Sequence, residues 1–515
     1  MKLNYRRTIC VGFAFFLICA FWQAYDTTIP LILTNKFGMS QGLSGVIMAL
    51  DNVLALFLLP LFGALSDKHR GRFGRRTPFI VAGTLAAAVA FVLLTAADNA
   101  QLKNLGGVAR IDDPAALSAV YEAEGQETLL TPDGERFVLA EKFSEEEFTA
   151  IRSQIVSGEK TVANPDYTNY VVPARQAYAQ NVTRHRTGPL VRFVILLLAV
   201  LLSMAVFRSP AVALMPDVTM KPLRSKANAV INLMGSFGGI LVLVLGIAFS
   251  TSSVKNSLMS YTPFFAVVAG IMLIALGIFL ITVNENRFVT EMQEDSRRFG
   301  IREDEETETG EKRRLGPGEK RSLLFLLASI VLWFFGYNAV TSKYSVYAAN
   351  ILHKDYNLTL IIAQAAAIIS YLPVGIVASR AGRKKTILAG VVMLAVSFGA
   401  AAFLRDGSPT LLMNALFALA GVGWATINVN SFPMVVEMAS GSDVGKYTGF
   451  YYTASMAAQV ATPMVSGFLM DKLGMTVLFP YAAVFVVLAF ITMLAVRHGD
   501  SRPEAKKGLE AMDVD

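Results

Sequence analysis

The chain has 515 residues, 54% of them hydrophobic and only 17% charged, with a mean hydropathy of +0.49 and a formal net charge of +7. Soluble domains carry about 25% charged residues, so a string of ordinary soluble domains is excluded. The two cysteines, Cys10 and Cys19, fall in one apolar run, and the four histidines form no HExxH cluster; disulfide framework, metal centre and cofactor are not expected. With no P-loop either, the composition points away from an enzyme.

Spanning a bilayer takes about 20 mostly apolar residues, because each backbone amide must be satisfied within its own helix. The first such run, Thr8–Ile32, contains Asp26 and Pro30 and lacks a small-residue cleavage site, so it reads as a permanent helix rather than a signal peptide. Leu43–Ala64 and Pro78–Ala97 follow. Then comes a polar, net acidic insert, Asp98–Gly188, in which Thr128–Glu141 alternates around Pro132-Asp133-Gly134 as a hairpin would. Ser144 to Glu147 is a capping box expected to open a helix through about Val156, so the insert is read as a small α+β extracytoplasmic domain of unknown partner. Leu190–Leu214, Ala227–Ser250 and Thr262–Val283 complete a first half over residues 1–283. The mixed-charge stretch Asn284–Arg321 is too polar to pack a core and is expected to be a linker. Ser322–Val340, Leu358–Ser379, Thr386–Phe403, Thr410–Val436, Tyr447–Met470 and Met475–Val496 make a second half, 322–497, before a tail, 498–515. The expectation is an all-α integral membrane protein of twelve helices in two six-helix halves. Lys2, Arg6, Arg7, Lys68, Arg70, Lys221, Arg224, Lys384 and Lys385 cluster on one side, which places both termini in the cytoplasm and the chain in a plasma-type membrane. That placement assigns the basic residues to orienting the chain in a bilayer, not to nucleic acid.

After the second span the sequence reads Gly63-Ala-Leu-Ser66-Asp67, then Arg72-Phe73-Gly74-Arg75-Arg76; after the eighth it reads Gly375 to Ser379, then Arg380-Ala-Gly382-Arg383-Lys384-Lys385. Small residues let helices approach, glycine permits a tight turn, and the arginines can reach neighbouring helix ends. Acidic residues end the fourth and tenth spans at Asp217 and Glu437, and with the insert removed the spacing from Gly63 to Asp217 matches that from Gly375 to Glu437 to within one residue. A duplicated architecture with a gating latch at each repeat is expected, the alternative being a simple positive-inside bias.

This pattern resembles the major facilitator superfamily. Ser66-Asp67 with Arg72 to Arg76 and Pro78-Phe79-Ile80, together with Ser209-Pro210, Asp217 and Ala227-Asn228-Ala229, is similar to the sucrose-transporter branch of the glycoside–pentoside–hexuronide:cation symporters. The resemblance implies cation-coupled uptake of a glycoside such as a disaccharide. That branch places an arginine where this chain has Val212, with Arg208 one turn earlier on the same face. Melibiose-type relatives place two carboxylates where Ala55 and Leu59 stand, with Asp51 one turn before the first, which favours a proton over sodium as coupling ion.

An ionisable side chain inside a span costs about 2.5–3.5 kcal/mol on insertion scales and is a functional candidate by default. Asp51 and Asp26 are therefore candidates for cation coupling, and Arg208 for attracting a carboxylate or donating to sugar hydroxyls. A sugar site needs amides and aromatic faces, and Trp22, Gln23, Tyr337, Asn338, Gln364, Trp424, Asn428, Asn430, Tyr451 and Gln459 fit that need; each alone could equally be a helix-packing hydrogen bond. The function expected is proton-coupled symport of a small polar solute; an exporter, or a sensor using the insert, are the competing readings.

Overall fold

Apolar runs of this length become helices that satisfy their own backbone. The computed structural model describes residues 3–157, 160–220, 223–299, 316–436, 438 and 444–498. Twelve long helices are α1 Tyr5–Asn35, α2 Gln41–Lys68, α3 Thr77–Leu105, α4 Gly188–Asp217, α5 Arg224–Ala248, α6 Thr262–Thr282, α7 Pro317–Tyr347, α8 Tyr356–Ala381, α9 Arg383–Ala401, α10 Thr410–Val436, α11 Val444–Leu473 and α12 Leu478–Leu494. Among the described residues ten of them are long and apolar enough to cross a membrane; α8 and α11, of 26 and 30 residues, match them in length. Each predicted span falls on one of these helices.

Six helices pack into each half. In the first, α1 lies along α5 and α6 and α3 along α4, around a core in which Phe91 stacks on Phe265 at 4.1 Å. In the second, α7 packs on α11 and α12 and α10 on α8 and α9, around Trp333, Tyr344 and Phe479. Prolines interrupt corresponding helices of the two halves: Pro60 and Pro373 in α2 and α8, Pro210 and Pro433 in α4 and α10. The halves meet where α2 runs along α11, α5 along α8 and α1 along α7.

The insert folds with its own core of Leu117, Phe148, Tyr167 and Val171. The expected hairpin forms, Thr128–Leu130 pairing antiparallel with Arg136–Val138, and the capping box at Ser144 and Glu147 is present. The helix it opens ends at Ala150, earlier than expected. Asp112 accepts from the Ser153 amide at 2.6 Å and its hydroxyl at 2.7 Å, and Gln154–Ser157 then pairs with Lys160–Ala163 as a second hairpin. The third helix also runs beyond its expected end, so that Asp98 is buried in α3. It forms an ion pair with Lys36 at 2.6 Å, both side chains being at most 1% exposed. The insert's last helix, Val172–His185, is fastened to the first half through Gln176 to Asn35 and Gln101 to Thr183, each 2.9 Å.

In the stretch expected to be a linker, Glu285–Arg298 is a helix tucked under the first half, burying Met292. Arg7 holds it, donating to the carbonyls of Val218 and Phe288.

Candidate functional site: a polar cavity between the halves

A polar side chain in an apolar helix stays charged or hydrogen-bonded only where protein or water surrounds it. Asp26 of α1 satisfies this by facing three adjoining hollows of about 430, 280 and 180 Å³ between the halves. Arg208 of α4 and Trp22 line the first and third, and Asp51 lines the third. Both carboxylates lie within electrostatic reach of the Arg208 guanidinium, which sits 5.4 Å from the Trp22 ring centroid. Asn52 donates to Asp51 Oδ1 at 2.8 Å and steadies that carboxylate without removing it from the cavity.

The second half supplies the facing wall. Gln364 of α8 donates to Gln23 Oε1 at 2.6 Å, a hydrogen bond that joins the halves across the cavity. Tyr337 stacks flat on Trp424 at 3.6 Å, and Asn338, Asn428 and Gln459 complete the polar lining. The Trp22 indole N–H and the Asn338 amide nitrogen are buried with no hydrogen-bond partner among the described residues, which leaves two donors for a ligand oxygen. Gly235 and Gly239, a small-residue pair that reads as helix packing, do more than pack: both line the first hollow.

Two expected site residues are elsewhere. Asn430 is 2% exposed and donates to its own helix at Thr426 O, 2.9 Å away, and Tyr451 packs with its hydroxyl 3.3 Å from Ser431. Residues that the sequence reading missed close the cavity on the insert face. Asp471, at the end of α11, accepts from the amides of Gln41 and Gly42 at 2.6 and 2.7 Å and so caps α2 of the other half. The fully buried Lys343 of α7 donates to Gln41 O at 2.6 Å. Gly42, Gly45 and Gly467 let α2 and α11 touch, since a methyl on them would collide with Phe468, Pro463 and Gln41. The insert adds a clasp: Met475 N donates to Pro132 O at 2.7 Å, and Gly134 and Gly474, with φ of +91° and +87°, meet backbone to backbone.

On the terminal face the first motif ties α2, α3 and α4 together. Arg76 is its hub: Nε donates to Asp217 at 2.8 Å, one terminal nitrogen meets Asp67, and the other reaches Ser66 Oγ at 2.5 Å and Gly63 O at 3.4 Å. Arg75 reaches Asp217 at 3.2 Å. Arg72 is exposed and its carbonyl accepts from Asn286. Glu285, unmarked in the sequence, caps α3 by accepting from the amides of Arg75, Arg76 and Thr77 at 2.6–3.0 Å. Gly74 is required beside it, both for a φ of +105° and because a Cβ would strike the Glu285 carboxylate. In the second motif Gly382, at φ +93°, turns α8 into α9, Arg383 opens α9 and Arg380 is exposed. Glu437 lies outside the described residues.

A bundle of this kind, with an ionisable cavity shared by two pseudo-equivalent halves, defines a membrane carrier and not an enzyme. The chain belongs to the Major Facilitator Superfamily, whose family model matches residues 11–108, 187–370 and 344–513 and leaves residues 109–186 of the insert unmatched, and it is a secondary transporter. Part of it is 34% identical over 76 residues to YagG of Escherichia coli (strain K12), named as a glycoside/cation symporter. Another relative, solute carrier family 45 member 3 of Homo sapiens, is 37% identical over 65 residues. These matches cover 15% and 13% of this chain and only 16% and 11% of those relatives' lengths. Among solved structures, the inward-open xylose transporter XylE of E. coli is similar over 99% of both chains, with a TM-score of 0.57 and 14% identity. A bacterial homologue of the iron transporter ferroportin, inward-facing, matches over 96% of this chain and all of that one, with a TM-score of 0.57 and 12% identity. Those likenesses carry the fold alone.

Proposed function

We propose that the protein imports a glycoside, of the size of a disaccharide, together with a proton across a plasma-type membrane, its termini lying in the cytoplasm. The observation that carries this reading is the grouping of Asp26, Asp51 and Arg208 around one cavity walled by amides and aromatic rings of both halves. Two carboxylates facing one guanidinium leave an excess negative charge in a poorly solvated space, and one bound proton cancels it. Sugar hydroxyls would exchange for the Gln23–Gln364 bond and take up the free donors of Trp22 and Asn338, while the Tyr337–Trp424 stack offers an aromatic face to ring C–H groups. Closure at Asp471, Lys343 and the clasp on the insert face is the arrangement suited to release on the terminal side. Parting of those contacts, with the terminal-face ends brought together, would give the opposite state. The terminal-face motifs, with Asp67, Arg76 and Asp217 at the centre of the first, are read as the gating latch of that movement.

The reading is tested by uptake of labelled sucrose and maltose into proteoliposomes under an inward proton gradient. Gradient-driven accumulation is expected for the intact chain, with a loss of about a hundredfold or more, on the scale of removing one proton-transfer group, in Asp51→Asn or Asp26→Asn. Counterflow exchange, which needs no net proton movement, should survive in the variant that lacks the coupling carboxylate. No accumulation of either sugar by the intact chain under any gradient would overturn the glycoside assignment.

A further inference from the structure

A second hollow, of about 680 Å³, lies between α8, α9 and α10 and has no part in the transport cavity. At about 100° per residue, Gln364, Ile368 and Tyr371 share the cavity face of α8, whereas Ile369, Pro373 and Val377 share the opposite face and line this groove. The same division holds on α10, where Trp424 and Asn428 face the cavity and Val422 faces the groove. The groove therefore opens sideways, and Ile369 is 73% exposed at its lip.

Its walls are unsuited to a polar solute. Each of its three hydroxyls is already bonded to its own helix: Ser370 to Ala367 O at 2.8 Å, Thr386 to Gly382 O at 2.8 Å and Thr426 to Val422 O at 2.7 Å. What remains is an apolar channel running along α8 from Ala366 to Ala381, about 22 Å at 1.5 Å per residue. That is longer than one leaflet, about half of a 30 Å hydrocarbon core. The terminal-face end is different in kind. Lys385 lines the groove mouth, and Arg380 stands exposed on the same side of α8 as Ile369 and Pro373. Neither makes a hydrogen bond or ion pair among the described residues, whereas the neighbouring Lys384 donates to the carbonyls of Leu494 and Val496.

We propose that this groove is a binding site for one anionic phospholipid of the leaflet at the terminal face, with an acyl chain along α8 and the headgroup phosphate at Arg380 and Lys385. An apolar slot somewhat longer than a leaflet, ending in two cations that are unpaired among the described residues, complements such a lipid in shape and in charge. A zwitterionic lipid would fill the slot equally well and gain less at its mouth. The site is independent of which solute is carried.

Native mass spectrometry of the full chain, extracted from bilayers of equal phosphatidylglycerol and phosphatidylcholine, tests it. The intact chain is expected to retain one phosphatidylglycerol per monomer in clear preference to phosphatidylcholine. Arg380→Gln with Lys385→Gln should reduce that preference by about thirtyfold, the product of two basic side chains near a membrane surface, and Lys385→Arg should keep most of it. Ala389→Trp, which fills the slot from an exposed position, should abolish retention of both lipids. Equal retention of the two lipids by the intact chain, a preference untouched by the charge variants, a preference that survives Ala389→Trp, or a lipid-free dimer joined through this face would each overturn the proposal.

Discussion

Lys36 and Asp98 illustrate how a single charge changes meaning with its surroundings. In the sequence Lys36 is a scattered loop charge and Asp98 the first residue of a polar insert; in the structure they are a buried pair, with Lys36 also donating to Met259 O at 2.7 Å and lying 4.6 Å from the Tyr261 ring centroid. Nothing local could have signalled this, because the partners stand 62 positions apart. Lys36→Met strands a buried carboxylate and should cost about 3–5 kcal/mol, whereas Lys36→Met with Asp98→Leu should recover most of it. Thermal unfolding in detergent reads both. Asp26, Asp51 and Arg208 stand out in the sequence for the opposite reason: a charge in the middle of an apolar run has no innocuous place to go, and all three line the cavity. Lys343, Asp471 and Glu285 sit near the ends of their helices, where a charge that ties two elements together looks like a loop charge. Asn428 and Asn430 show the limit of residue type as a guide. They are about 200° apart on one helix, so one faces the cavity and the other its own backbone.

At the scale of elements, hydropathy located all twelve long helices because the bilayer imposes their length. The terminal helix Glu285–Arg298 escaped, since its stability rests on docking through Arg7 and Glu285 and not on an apolar run. In the insert, the first hairpin carries a Pro-Asp-Gly turn and was readable; the second depends on Asp112 fixing Ser153 from 41 positions away. The contact of α2 with α11 depends on three glycines scattered over two helices of different halves, a pattern visible only once the helices are paired. A methyl at Gly467 would press on the Gln41 carbonyl, the same atom that Lys343 holds. Gly467→Ala should therefore part the insert-face ends of α2 and α11. In a background with Cys10→Ser and Cys19→Ser, Thr341→Cys places a thiol in the cavity wall. Its labelling by a membrane-impermeant maleimide from the insert face should rise about tenfold in Gly467→Ala, the change expected of a shift near 1.4 kcal/mol. An unchanged rate would mean that this crossing does not limit opening.

For the molecule as a whole, the repeat was evident from two spacings that agree once the insert is set aside, and the helices on either side of residues 284–316 pack mainly among themselves. What the repeat could not reveal is how the insert relates to the second half, because that contact is local, a backbone hydrogen bond and the meeting of Gly134 with Gly474 between a hairpin tip and the α11–α12 turn. Met475 opens a one-turn helix after Gly474, a position where proline keeps the backbone and loses only the N–H. Met475→Pro should thus release the clasp without disturbing the fold, which a faster insert-face labelling of Thr341→Cys would report. The clasp also has a consequence for the carrier's cycle. One half here reaches over and holds the other on the insert face, where Met475 N donates to Pro132 O. The resting carrier is thereby tilted toward one end of its cycle, and an antibody fragment wedged beneath the hairpin would hasten the return of the empty carrier and shift its apparent affinity for the solute by the change in the population of the binding-competent state.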